Sequence, residues 1–183
     1  LILFVAAALT DWVDGYIART WKQESKLGTM LDPIADKAMV LIALLVITGI
    51  FGLNPLVLLP ATLIVFREVF VSGLREFLGE VAGTLKVTKL AKWKTTVQMM
   101  AIAMLFAVGI FEHYLGMGGF GMDGVMIGQI LDGKLEDLLN LNFLYGGMLV
   151  TWYGGVILLW VAAVLTVLSG ADYFRKALPH LRG

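Results

Sequence analysis

A chain of 183 residues that is 59% hydrophobic and 15% charged, with a mean hydropathy of +0.86, is too apolar for a water-soluble domain, which carries about 25% charged residues. The absence of cysteine excludes a disulfide framework and thiol chemistry. The 14 basic and 14 acidic residues cancel, so nucleic acid is not an expected partner, and the charges matter through where they stand.

The expectation is therefore an all-α, polytopic membrane bundle forming one domain over residues 1–183. Leu1–Thr10 is apolar but too short to span alone, since a crossing helix needs about 20 residues. Continued to Arg19, it becomes a full span with Asp11, Asp14, Gly15, Ala18 and Arg19 in its last turns. Thr20–Leu27 is polar and reads as a loop or interfacial turn, in which Ser25 could equally meet a ligand or cap a helix. Gly28–Phe51 is the second span, with Asp32 and Asp36 near its start, where Pro33 is tolerated. After a turn through Pro55, Leu56 to about Gly79 forms the third span and carries Arg67, Glu68, Arg75 and Glu76. An ionisable group this deep in an apolar helix faces the bundle interior or a water-filled cavity. Glu68 and Arg75, seven apart, could also simply pair across two turns.

Glu80–Ala91 is a polar connection. The fourth span opens with Lys92 and Lys94 and runs apolar to Phe111. Residues 112–144 form an insertion in which Ile127, Ile130, Leu131, Leu135, Leu138 and Leu139 follow helical spacing, predicting an amphipathic helix weakened by Gly128 and Gly133. Tyr145 to about Ser169 is the fifth span, with Trp152, Tyr153 and Trp160 as packing or interfacial aromatics, followed by a basic tail. On alternating passes, twelve of the fourteen Lys and Arg residues share the side of the aspartates. By the positive-inside rule that side is cytoplasmic, and 112–144 is extracytoplasmic.

Four carboxylates among apolar runs need a counter-charge. Asp11 and Asp14 are three apart and Asp32 and Asp36 four apart, so on helices each pair shares a face. Two such faces meeting would gather hard oxygen ligands suited to Mg²⁺ or Mn²⁺, and to two ions if the carboxylates bridge. Gly15 and Gly28 permit close approach, and Arg19 is placed to meet a phosphate, so the set describes a diphosphate site.

The pattern D11-x-x-D14-G15-x-x-A18-R19, eight residues, G28-x-x-x-D32-x-x-x-D36 resembles the signature of the CDP-alcohol phosphotransferases, with every fixed position filled. The segments F66-R67-E68…S72-G-L-R75-E76 and A91-K92-W-K94-T95-T96-V-Q98 are similar to the branch of that family that makes phosphatidylglycerophosphate. The resemblance implies that Asp11, Asp14, Asp32 and Asp36 hold the metals, with Asp36 also the base. It implies that Asp14, Gly15, Ala18, Arg19, Ser25 and Gly28 line the CDP moiety, and that Arg67, Arg75, Lys92 and Lys94 bind the acceptor phosphate. The substrates it implies are CDP-diacylglycerol and glycerol 3-phosphate. It further implies a multi-pass protein of the inner membrane, six spans with the first preceding this sequence, and a homodimer.

Within the family another acceptor is compatible with the signature: inositol phosphate, serine or a phosphatidyl group. Outside it, a Mg²⁺-dependent prenyltransferase also uses aspartate-rich helices, but has no use for the G-x-x-A-R element. A cation transporter would bind the ion itself and release no CMP.

Overall fold

The computed structural model describes residues 1–4, 6, 10, 26–84 and 90–181. Among them are five α-helices: α1 (Lys26–Phe51), α2 (Pro55–Leu78), α3 (Leu90–Gly118), α4 (Gly124–Leu131) and α5 (Leu141–Leu181), with a 3₁₀ turn over Gly79–Thr84. No strand occurs among the described residues. Helices α1, α2, α3 and α5 are each long and apolar enough to cross a membrane. Residues 2–4, 6 and 10 are helical, while the rest of the expected first span, including Asp11 and Asp14, lies outside the described residues.

Local chemistry sets the helix ends. Gly52, at φ +62°, closes α1, and the Asn54 side chain accepts the Leu56 amide at 3.0 Å to open α2 ahead of Pro55. Gly79, at φ +53°, turns the chain out of α2 while its N–H donates to the Arg75 and Glu76 carbonyls. Pro60, inside α2, has no N–H for the Leu56 carbonyl. The indole N–H of Trp160 on α5 donates to that carbonyl instead, at 3.0 Å. Trp160 therefore satisfies a backbone acceptor as well as packing.

Three expectations are corrected. The helix in the 112–144 insertion stops at Leu131: Gly133 adopts φ +73°, and the Lys134 and Leu135 amides both return to the Gln129 carbonyl. Leu135, Leu138 and Leu139 therefore lie beyond it, all exposed. Helix α3 continues past Phe111 to Gly118, because Glu112 and His113 cost nothing to a helix emerging into water. Helix α5 runs from Leu141 to Leu181 and absorbs the tail that carries Arg175 and Lys176.

Each spanning helix contributes to one core, in which Leu44 and Ile47, Val57 and Ile64, Ile102 and Leu105, and Leu159 and Ala162 are buried. Helices α3 and α5 pack most extensively and antiparallel. Gly147, Gly154 and Gly155 of α5 receive Phe111, Met104 and Leu105 so closely that a Cβ at any of them would collide. Helix α2 runs parallel to α5, as the contacts Leu56–Trp160, Arg67–Ser169 and Phe70–Phe174 show. Outward-facing Ile42, Leu45, Leu59, Phe66, Ile157 and Val164 stay exposed, as lipid contact requires. The four helices thus carry Lys37, Arg75, Lys94 and Arg175 to one end of the bundle and leave Lys134 at the other.

Candidate active site

At the basic end, α2 places Arg67 eleven residues, about 16 Å of helix rise, before its terminus at Leu78, with Glu68 next to it. Both are screened from solvent, with side-chain exposures of 13% and 14%. Lys94, in the second turn of α3, is 8% exposed, so its position in the sequence as a helix-opening lysine conceals an inward-facing group. One carboxylate oxygen, Glu68 Oε1, accepts from Arg67 Nη1 at 3.0 Å and from Lys94 Nζ. Two cations on one carboxylate leave the cluster net positive.

The surrounding hydroxyls hold these charges in place. Arg67 Nη2 donates to Ser169 Oγ at 3.1 Å, and Ser169 in turn donates to the Thr166 carbonyl at 2.9 Å. Lys37 Nζ of α1 donates to Ser72 Oγ at 2.7 Å, while Ser72 donates to the Glu68 carbonyl at 2.6 Å. Arg75, two turns beyond Glu68, does not pair with it. Its guanidinium lies over the buried Tyr173 ring, 5.3 Å from the centroid. Among the described residues, Arg67 Nε, Gln98 Nε2, Thr166 Oγ1 and the Tyr173 hydroxyl are buried without a hydrogen-bond partner. All four belong to residues of this cluster or within one helical turn of it. Buried polar groups are normally paired, so four unpaired ones in one neighbourhood leave hydrogen-bonding capacity open to a polar ligand.

Of the four aspartates of the motif, Asp32 and Asp36 lie within the described residues. Asp32 stands on α1 one turn from Asp36, a spacing that puts both positions on one helix face. Asp36 is exposed, and the adjacent Lys37 fixes this level of α1 against Ser72 of α2. Gly28 lies one turn before Asp32, and Lys92 in the first turn of α3. Asp11, Asp14, Gly15, Ala18, Arg19 and Ser25 lie outside the described residues. No group of three or more His, Cys, Asp or Glu comes together among the described residues. Helix α1 supplies two of the four aspartates, and their hard oxygen donors suit a Mg²⁺ or Mn²⁺ ion.

The structure thus brings Arg67 and Lys94 together, sets Arg75 nearer the surface, and adds residues that sequence reasoning did not assign: Lys37, Ser72, Gln98, Thr166, Ser169 and Tyr173. A signal for the α5 members was present. Thr166, Ser169, Gly170 and Tyr173 follow i, i+3, i+4, i+7 spacing, a polar stripe in an otherwise apolar span.

Residues 1–168 match the family described as CDP-alcohol phosphatidyltransferase. A CDP-diacylglycerol--glycerol-3-phosphate 3-phosphatidyltransferase of Cereibacter sphaeroides is 57% identical over 183 residues, all of this chain and 82% of the relative. Proteins of the same name from Shigella flexneri and Escherichia coli K12 are each 37% identical over 146 residues, 76% of this chain and 80% of theirs. No solved structure matches the chain. A membrane bundle whose polar interior is gathered at one end, matched over nearly its whole length, belongs to the CDP-alcohol phosphatidyltransferase family and is an enzyme of phospholipid synthesis.

Proposed function

We propose that this chain transfers the phosphatidyl group of CDP-diacylglycerol to sn-glycerol 3-phosphate, giving phosphatidylglycerophosphate and CMP. The observation that carries the acceptor is the convergence of Arg67 and Lys94 on Glu68, with unpaired donors beside them. A neutral alcohol has no use for two buried cations, whereas a phosphate monoester dianion does. The names of the relatives point to the same two substrates.

In this reading Asp11, Asp14, Asp32 and Asp36 would hold two Mg²⁺ or Mn²⁺ ions, which would neutralise the charge of the diphosphate. Gly15, Ala18, Arg19, Ser25 and Gly28 surround the cytidine diphosphate. Arg67 and Lys94 anchor the acceptor phosphate, with Arg75 and Lys92 towards the entrance. The free primary hydroxyl of glycerol 3-phosphate attacks the β-phosphorus, Asp36 takes its proton, and the bond from that phosphorus to the bridging oxygen breaks, so that CMP leaves with the oxygen. The acyl chains stay in lipid throughout. The site faces the cytoplasm, in keeping with the clustering of basic residues at this end.

The test is CMP release by purified protein given CDP-diacylglycerol and, separately, glycerol 3-phosphate, inositol phosphate, serine or phosphatidylglycerol. Turnover with glycerol 3-phosphate, abolished by EDTA and restored by Mg²⁺ or Mn²⁺, is expected. Preference for another acceptor overturns the acceptor assignment, and turnover undiminished by EDTA overturns the metal.

A further inference from the structure

The basic cluster is described above through α2 and α3, but the direction in which Arg67 points is decided by α5. Arg67 leaves α2 and crosses to α5 at Gly170. A Cβ there would lie 2.9 Å from Arg67 Cγ, close enough to push the arginine aside, and 3.2 Å from its Nε. The neighbouring Ser169 takes Nη2 at 3.1 Å, and the Ser169 hydroxyl is itself oriented by its bond to the Thr166 carbonyl. Glu68 holds Nη1 on the other side. A guanidinium fastened at its stem and at both terminal nitrogens has one orientation, with its remaining Nη hydrogens directed away from both contacts. A long flexible side chain would otherwise lose rotamer entropy each time it met a ligand.

We infer that Ser169 and Gly170 are positioning residues for the acceptor phosphate. They touch no substrate, but pre-orient Arg67 so that it meets the phosphate without rearrangement. This rests on the reading of Arg67 as an acceptor ligand, and the experiment separates the two. Steady-state kinetics are measured for Ser169→Ala, Ser169→Thr, Gly170→Ala and Arg67→Lys, and for the double variant Ser169→Ala/Arg67→Lys, each with both substrates varied. Ser169→Ala and Gly170→Ala are expected to raise the KM for glycerol 3-phosphate about tenfold, the scale of one charge-assisted hydrogen bond, with the KM for CDP-diacylglycerol within about twofold of the parent. Ser169→Thr, which keeps the hydroxyl, restores most of the affinity. In the Arg67→Lys background, Ser169→Ala has little further effect, because the group it orients is gone.

If Arg67→Lys changes the acceptor KM but neither α5 substitution does, the positioning role is wrong and the acceptor reading stands. If Arg67→Lys leaves the acceptor KM unchanged, both fall. If the α5 substitutions raise both KM values alike, or add fully to Arg67→Lys, α5 acts by general packing and the inference is overturned.

Discussion

Glu68 shares one oxygen between a guanidinium and an ammonium in a region nearly closed to water. Replacing it with Gln leaves two buried cations facing each other without a counter-charge, a change that costs about 3–5 kcal/mol where one partner of a buried pair is removed. Glu68→Gln should therefore lower the thermal unfolding temperature in detergent, and glycerol 3-phosphate should recover more of that loss than it adds to the parent, since its phosphate replaces the missing charge. Equal stabilisation of both proteins by the acceptor would contradict a phosphate site at Arg67 and Lys94. Asp36 makes a second prediction. Asp36→Asn should retain CDP-diacylglycerol binding and lose about 10²–10⁴ in kcat, read from single-turnover CMP release, if proton removal is all that disappears. Loss of binding together with turnover would make Asp36 chiefly a metal ligand. That Arg67 faces inward was legible from its depth in an apolar run. The partners of Glu68 were not: Lys94 lies 26 residues away on another helix, and only the packing of α2 and α3 on α5 chooses it over Arg75.

At the level of the helix, ends proved harder to read than middles. The apolar runs located all four described spans, because their length is dictated by membrane thickness. Their termini are governed by capping, and charges such as Glu112 or Lys176 do not stop a helix once it has left the lipid. The start of α5 illustrates this. Asp137 accepts the Leu141 amide at 2.7 Å and the Asn142 amide at 2.9 Å, while the Asn142 side chain reaches both Asp137 and the Ile130 carbonyl, tying α4 to α5. Donation from the Asn142 backbone, the largest effect, holds the Asp137 carboxyl below its ordinary value of 3.8; desolvation opposes it, and the Leu141 amide and the Asn142 side chain add to the lowering. A carboxyl more acidic in the folded protein than in the unfolded chain stabilises the fold above that ordinary value, and the contribution is lost as pH falls beneath it. Hydrogen exchange at Leu141 and Asn142 should accelerate, relative to amides in mid-α5, as pH drops through that range. Asp137→Ala should show the fast exchange already at neutral pH. Trp160→Phe tests the other unusual junction: losing this exposed hydrogen bond to the Leu56 carbonyl should cost about 0.5–1.5 kcal/mol in chemical denaturation.

Taken as a whole, the molecule is polarised, with Lys37, Arg75, Lys94 and Arg175 at one end and Lys134 at the other. Since the chain has no cysteine, single substitutions report sidedness without background. In right-side-out vesicles, Lys134→Cys should react with an impermeant maleimide, and Lys176→Cys only after the membrane is opened. The reverse pattern would put the active site on the far face.

The order in which these parts are synthesised gives the Arg67–Glu68 neighbour pair another significance. Arg67 is made 102 residues before Ser169, which at ribosomal rates of about 5–20 residues per second is roughly 5–20 s. During that interval α2 has to enter the bilayer without α5, and an arginine near the centre of a lone helix opposes insertion by about 2.5–3.5 kcal/mol. Glu68 is the only one of Arg67's described partners already on the same helix. It can travel into the membrane with the arginine as a neutralised pair, so that the side chain later fastened to α5 does not hold up the translocon while its final partners are still being translated.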